Sequence, residues 1–317
     1  MTAPATPAPS ISVVVPVYGC VACLAELCQR LCAVLAPMTD RFEIVLVDDR
    51  SPDGSWSAIR RLRESHPQVR GVRLSRNFGQ QIAISAGLQV ARGDYTVVMD
   101  CDLQDPPEKI PEMFAVLREG RHEMVLARRV QRNHSRFRAL GSTLYFAVMS
   151  RMAEKRIDGS YGTFSLLSRK VVNAFLQFSE RERHYLFILR WLGFSTGTVD
   201  YVHQERAAGR SSYSLARLVR HAVDGLFFQA TVLLRWIVLA GLAVALAGCV
   251  AAVYFVYRYF ALGSVAGWTS VVVLILLCTG MLLVSMGVIG LYIGKIFDQA
   301  KSRPLFILDT ADESPLP

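Results

Sequence analysis

Apolar runs alternate with amphipathic stretches from residue 11 onward. Ile11–Val17 and Phe42–Asp48 are largely apolar, as expected of strands buried on both faces of a sheet. Three shorter strands are predicted at 72–75, 95–99 and 123–127, and helices at 21–35, 79–91 and 108–119. This alternation predicts an α/β fold with a mostly parallel sheet, helices on both faces and a ligand site at the carboxyl ends of the strands.

Two long segments near the C-terminus contain no charged residue. They cover 236–257 and 263–294, and each is long enough as a helix to cross a hydrocarbon core of about 30 Å. Lys and Arg flank the pair, whereas the loop between the segments contains a single Arg. The positive-inside rule therefore predicts a multi-pass protein whose large N-terminal part and tail are both cytoplasmic.

These patterns predict the domain organisation. It consists of a disordered tail at 1–10, an α/β domain at 11–205, a loop and amphipathic interface helix at 206–234, two membrane helices at 235–294 and a cytoplasmic tail at 295–317. The formal net charge of +9 suits an anionic membrane surface. Nucleic acid is not expected as a partner, because the sequence contains no known nucleic-acid motif.

The chain contains seven cysteines. Four of them, Cys20, Cys23, Cys28 and Cys32, fall on the first predicted helix without the paired Cys-x-x-Cys turns of a zinc site. Free thiols in a reducing cytosol are therefore the expectation.

Carboxylates stand at the ends of predicted strands. Asp48 ends the second strand and Asp49 follows it, and Asp100 and Asp102 follow the fourth. Buried carboxylates are costly unless a positive charge meets them, and an Asp-x-Asp pair can hold Mg²⁺ or Mn²⁺. Gln104 adds a carbonyl ligand. For Asp105, before Pro106, the alternative of a helix N-cap stays open.

Four motifs carry a resemblance to a known family: "VVVPVYG", "VLVDDRSPDGS", "LSRNFGQQIAISAGLQVARGDYTVVMDCDLQDPPE" and "YFAVMS…YGTFSLLSRKVV". Together they resemble family-2 glycosyltransferases of the polyprenyl-phosphate type, which include dolichol-phosphate mannose synthases and undecaprenyl-phosphate glucosyl- and aminoarabinosyl-transferases. The resemblance implies a GT-A fold, a nucleotide-sugar donor, Mg²⁺ or Mn²⁺, an undecaprenyl phosphate acceptor and a bilayer. It also implies a location in the inner (plasma) membrane, and it leaves a homo-oligomer open.

The resemblance also implies a donor site. Pro16, Val17 and Tyr18 are similar to the segment that contacts the base and ribose. Further residues implied to bind the nucleotide-sugar are Asp49, Arg76 and Asp100, and the implied metal ligands are Asp100, Asp102 and Gln104. The chain departs from the family at Gly19 and Cys20, where Asn-Glu is common, and at Arg50, where Gly is usual. These departures leave the base undetermined.

An anionic lipid acceptor requires positive charge, and Arg can contact phosphate through two donors. Arg128 resembles the family arginine after the fifth strand, and Arg138 with Ser142 resembles the phosphate-binding pair. Arg206 resembles the arginine of the flexible acceptor loop. A solvated basic helix is the alternative for the segment around Arg138.

Thr163 stands where many relatives carry an Asp that is the usual candidate base. A phosphate monoester has a second pKa of about 6 and is already ionised near pH 7, so little remains for a base to abstract. Thr163 is therefore expected to position the reactants, and the predicted catalytic residues are Asp100, Asp102 and Thr163. A processive polysaccharide synthase and an inactive membrane scaffold are the alternatives. The sugar is not determined by the sequence.

Overall fold

The computed structural model describes residues 9–130, 160–181, 183–202 and 267–311, with scattered positions between 241 and 261. The chain divides into two compact units. One comprises Met1–Thr143, Asp158–Ser212 and Pro304–Pro317, and the other comprises Leu144–Ile157 and Tyr213–Arg303.

The described part of the first unit forms an eight-stranded sheet. Its strands are β1 (Ile11–Val17), β2 (Phe42–Asp48), β3 (Val69–Leu74), β4 (Tyr95–Val98), β5 (Met124–Arg129), β6 (Tyr161–Ser168), β7 (Thr196–Tyr201) and β8 (Leu308–Ala311). The order across the sheet is β7-β5-β6-β4-β1-β2-β3-β8. Strands β4, β1, β2 and β3 are parallel neighbours, so their carboxyl ends lie at one edge. Strand β6 runs antiparallel between β4 and β5, which makes the sheet mixed.

Helices cover both faces of the sheet, as the alternation predicts. They are α1 (Leu24–Leu35), α2 (Ser55–Ser65), α3 (Gln80–Val90), α4 (Ile110–Glu119), α5 (Arg169–Leu176) and α6 (Tyr185–Leu192). On one face, the apolar sides of α1 and α4 pack on alternate residues of β1 such as Val13 and Val15. On the other face, α3, α5 and α6 pack over Val14 and Val45. The α/β prediction is confirmed.

The third strand begins earlier than its apolar run indicates. The predicted strand covers 72–75, whereas β3 starts at Val69. The charged residue Arg70 interrupts the apolar pattern there, so hydropathy does not indicate a strand, although Arg70 is only 5% exposed in the fold. Its guanidinium pairs at 2.5 Å with the buried carboxylate of Glu43 in β2, and this pairing allows a charge inside the sheet.

The end of the chain also contributes to the sheet. Strand β8, inside the predicted tail, pairs antiparallel with the edge strand β3. Asp309 of β8 contacts Arg50 at 2.8 Å.

In the second unit, α7 (Trp268–Ala300) is the long helix of the described part. Its segment Cys278–Ala300 has a mean hydropathy of 1.8, and by length and composition it is, among the described residues, the one helix able to cross a membrane. The other predicted span, 236–257, lies largely outside the described residues. The prediction of two membrane helices therefore stays a prediction.

Candidate active site

Asp100 lies two residues beyond the end of β4, at the carboxyl edge of the sheet. Its Oδ1 accepts a hydrogen bond from Gln80 Nε2 at 2.7 Å and another from Thr163 Oγ1 at 2.8 Å. Gln80 is the first residue of α3 and Thr163 lies in β6, so two separate elements fix this carboxylate. Among the described residues both bonds reach Oδ1, which leaves Oδ2 available to a ligand.

The electrostatics of Asp100 follow from its neighbours. Burial is the largest effect that raises its pKa, to about 6, and the negative charges of Asp105 and Asp102 add to it. The hydrogen bond from Thr163 and the charge of Arg129 act in the opposite direction. Asp100 therefore lies buried beside other carboxylates, and a bound cation would favour its ionised form.

Asp102 and Gln104 belong to the turn that follows. Asp102 Oδ1 accepts from the backbone N–H of Gln104 at 3.2 Å, and Leu103 between them has a φ of +62°. All three predicted metal ligands, Asp100, Asp102 and Gln104, thus lie in one turn. No group of three His, Cys, Asp or Glu side chains in the described part is arranged to hold a metal ion. The donor set still fits Mg²⁺ or Mn²⁺, because these ions usually take one or two carboxylates and complete their shell with water and phosphate oxygens.

Asp105 is not a helix cap. The short 3₁₀ helix that follows covers Pro107–Lys109, has Pro106 as its N-cap residue and is capped by no side chain, and Asp105 is 1% exposed. Its Oδ1 accepts from the hydroxyl of Tyr201 at 2.6 Å, and that hydroxyl accepts from Arg129 Nε at 2.9 Å. The N-cap alternative is therefore wrong, because the side chain is committed to this buried network.

The two arginines at the end of β5 have different surroundings. Arg128 is 45% exposed and pairs with Asp200 through two hydrogen bonds of 2.7 and 2.9 Å. Arg129 lies against the backbone of Gly162, where an added Cβ would be 2.6 Å from its Nη2. The glycine of "YGTF" thus makes room for a guanidinium beside the carboxylate cluster. Sequence reasoning missed Arg129, although adjacent residues of a strand face opposite sides and had to be weighed separately.

Asp49 holds the loop before α3. Its carboxylate accepts from the backbone N–H of Phe78 at 2.7 Å and of Gly79 at 2.8 Å. Gly79 has a φ of +93°, a conformation that favours glycine, and Arg76 stacks on Phe78 at 4.1 Å. Asp49 therefore shapes the turn that leads to Gln80. Its predicted contact with a nucleoside stays a prediction.

A hydrogen bond joins the segment after β1 to the segment after β2. Pro16 and Val17 end β1, and the next residue, Tyr18, is 53% exposed. The backbone N–H of Val21 donates to Asp53 at 3.0 Å. Burial alone would raise the pKa of Asp53, but its hydrogen bonds from Ser51, Ser55 and Val21 lower it to about 2.

Two cysteines are joined across this site. Cys20 and Cys101 form a disulfide with a Cα–Cα distance of 6.3 Å. Helix α1 begins at Leu24, so Cys20 precedes it. The expectation of free thiols is wrong for this pair, because the fold brings together two loops that are 81 residues apart. The sequence signal that was available is the position of Cys101 inside Asp-x-Asp.

Three predicted acceptor residues, Arg138, Ser142 and Arg206, lie outside the described residues. Their placement relative to Asp100 is therefore not part of the site geometry.

An α/β sheet with an Asp-x-Asp pair at its carboxyl edge is typical of GT-A glycosyltransferases. The model of the family described as "Glycosyl transferase family 2" matches residues 12–176, and the chain belongs to this family.

Relatives match over most of their length. The bactoprenol glucosyl transferase of Shigella phage SfII is 35% identical, with 84% of this chain and 86% of the relative covered. The undecaprenyl-phosphate 4-deoxy-4-formamido-L-arabinose transferase of Photorhabdus laumondii is 31% identical, with 94% and 93% covered. The crystal structure of mannosyl-3-phosphoglycerate synthase from Rubrobacter xylanophilus aligns with a TM-score of 0.50 at 19% identity, over 72% of this chain and 74% of that one. This last likeness concerns the fold.

Proposed function

We propose that this chain transfers a sugar from a nucleotide-sugar, with a UDP-sugar as the preferred donor, to undecaprenyl (polyprenyl) phosphate with inversion at the anomeric carbon. The observation that carries the proposal is the carboxylate cluster at the sheet edge, in which Gln80 and Thr163 fix Oδ1 of Asp100 beside Asp102. Two relatives are named as transferases that act on undecaprenyl phosphate or bactoprenol, and these names support a polyprenyl phosphate acceptor. Because the sugars in the names of these relatives differ, we do not propose the sugar.

On the donor side, Pro16, Val17 and Tyr18 would contact the base and ribose, with Asp49 and Arg76 beside them. Asp102, the amide carbonyl of Gln104 and Oδ2 of Asp100 would hold Mg²⁺ or Mn²⁺. When bound, the metal neutralises the charge that develops on the departing nucleoside diphosphate. Gln80 and Thr163 keep Asp100 oriented toward the donor, since both already donate to it.

On the acceptor side, the proposed phosphate-binding residues are Arg128, Arg138, Ser142 and Arg206. We add Arg129, whose guanidinium lies beside the carboxylate cluster and whose side chain is 32% exposed. The acceptor phosphate is ionised near neutral pH, with a second pKa of about 6, so its oxygen attacks without a general base. Thr163 would then position Asp100 and would not abstract a proton.

The proposed location is the inner membrane, with the first unit at the cytoplasmic face. Helix α7 would supply one span and residues 236–257 the other, in line with the Lys and Arg that flank them. A reporter fused to the C-terminus should be active in the cytoplasm. Activity only outside the cytoplasm would contradict this topology.

The test of function uses the full chain in detergent or nanodiscs. The protein is incubated with undecaprenyl phosphate and each of a panel of UDP- and GDP-sugars, and the mass of the lipid product is determined by mass spectrometry. We expect addition of one sugar per lipid, abolished by excess chelator and by Asp102→Asn. A ladder of products would favour a processive synthase, and nucleotide binding without transfer would favour a scaffold. Full activity in chelator would contradict the metal assignment.

A further inference from the structure

Cys101 is the middle residue of Asp-x-Asp, and Cys20 comes two residues after Tyr18. The disulfide between them therefore links the turn that carries the predicted metal ligands to the segment predicted to contact the nucleoside. Cys101 is 6% exposed, whereas Cys20 is half-buried.

The pairing follows from the sheet. Strands β1 and β4 are parallel neighbours, with Val14 opposite Val98, and the N–H of Met99 donates to the carbonyl of Val14 at 3.2 Å. The segments that follow β1 and β4 leave the sheet at the same edge. The two cysteines therefore lie at a Cα–Cα distance of 6.3 Å, within the usual range for a disulfide of about 4.4–6.8 Å.

Other cysteines of the described part have a different environment. Cys28 and Cys32 lie on α1, and burial raises the pKa of both thiols, that of Cys28 to about 12. Burial in apolar surroundings makes a thiol inert, because the thiolate is the reactive form. The fold thus places Cys20 and Cys101 within bonding distance of each other, whereas burial makes the thiols on α1 unreactive.

We propose that Cys20 and Cys101 form a thiol modification site at which a small-molecule disulfide such as oxidised glutathione cross-links the two donor-site loops. The functional part of this inference rests on the proposed function, since it takes these loops to hold the nucleotide. A reductant opens the bond to the dithiol, and a small-molecule disulfide closes it again.

The chemistry balances as two exchange steps. The thiolate of the more exposed Cys20 attacks one sulfur of the small disulfide, forms a mixed disulfide and releases one small thiol. The thiolate of Cys101 then attacks the sulfur of Cys20, forms the protein disulfide and releases the second small thiol. The protein loses two electrons, the small disulfide gains them, and the two thiol protons pass to the released thiols.

The cross-link should tighten nucleotide binding. It fixes the separation of two loops that otherwise lose conformational freedom when the ligand is bound. We expect the Kd for a nucleoside diphosphate with Mn²⁺ to fall about three- to tenfold in the cross-linked form, as for other preorganised sites. Product release, and therefore turnover, should slow in parallel.

The first measurement maps the bond. The full chain is treated with oxidised glutathione or dithiothreitol, free thiols are alkylated, and tryptic peptides are analysed by mass spectrometry. Trypsin separates Cys101, in 93–109, from Cys20, in 1–30. We expect the cross-linked peptides in wild type and in the control Cys32→Ser, and none in Cys20→Ser or Cys101→Ser. Absence of the cross-link in oxidised wild type overturns the inference.

The second measurement is calorimetric titration of UDP, and of GDP, with Mn²⁺ into both redox forms. Wild type and Cys32→Ser should respond to dithiothreitol, and Cys20→Ser should not. Equal affinity in both forms overturns the coupling. If neither nucleotide binds in either form, the coupling and the proposed function both fail, whereas the peptide map still decides on the cross-link.

Discussion

Replacing Thr163 by valine tests whether this position orients Asp100 or has a larger role. Valine closely matches the volume of threonine and removes the hydroxyl that donates to Asp100 Oδ1 at 2.8 Å. The second donor, Gln80 at 2.7 Å, stays in place. The variant therefore removes one of the two hydrogen bonds that orient the Asp100 carboxylate, without opening a cavity.

The magnitude follows from this geometry. A hydrogen bond to a charged group contributes about 1.5–3 kcal/mol net. Because Gln80 still donates to the same oxygen, we expect a cost just below this range, about 1.4 kcal/mol in the barrier, which is a tenfold loss of kcat/KM.

The assay is initial-rate transfer to undecaprenyl phosphate at pH 8, above the pKa of about 6 to which burial and then the charge of Asp105 raise Asp100. Thr163→Ser is the matched control, because it retains the hydroxyl, and it should keep most of the wild-type rate. A thousandfold loss in Thr163→Val would refute the positioning role. So would a serine variant as slow as the valine variant.

Three further predictions concern other parts of the first unit. Glu43→Gln breaks a buried ion pair and should cost about 3–5 kcal/mol, seen as a lower Tm of the full chain, whereas Glu64→Gln on the exposed end of α2 should leave the Tm unchanged. The folded pKa of Asp53 is about 2, below its ordinary value, so the stability it confers is present above about pH 4 and is lost as the pH falls toward 2. The Tm difference between wild type and Asp53→Asn should therefore shrink over that window, and a constant difference would contradict the assignment. Arg129→Ala leaves a buried carboxylate without its guanidinium, so both Tm and rate should fall; Arg128→Ala, at the surface, should raise only the KM for lipid phosphate. Equal behaviour of the two variants would contradict this distinction.

The sequence alone determined the features that depend on local pattern. Largely apolar runs predicted β1 and β2 with the bounds that the structure has, because a strand covered on both faces is apolar over most of its length. The end of the fourth run located Asp100 and Asp102 at a strand end, and parallel strands end at a common edge. The motifs around these residues carried the family resemblance.

Only the tertiary structure decided which distant side chains meet. The early start of β3 depends on Glu43, a partner 27 residues from Arg70, so hydropathy could not show it. The contact of Thr163 with Asp100 joins residues 63 apart, and the Tyr201–Asp105 bond joins residues 96 apart. The choice between Arg128 and Arg129 as neighbour of the carboxylates depended on the room left by Gly162. The Cys20–Cys101 pair required the adjacency of β1 and β4. The order of the strands in the sheet decides which distant loops become neighbours, and local sequence pattern does not determine that order.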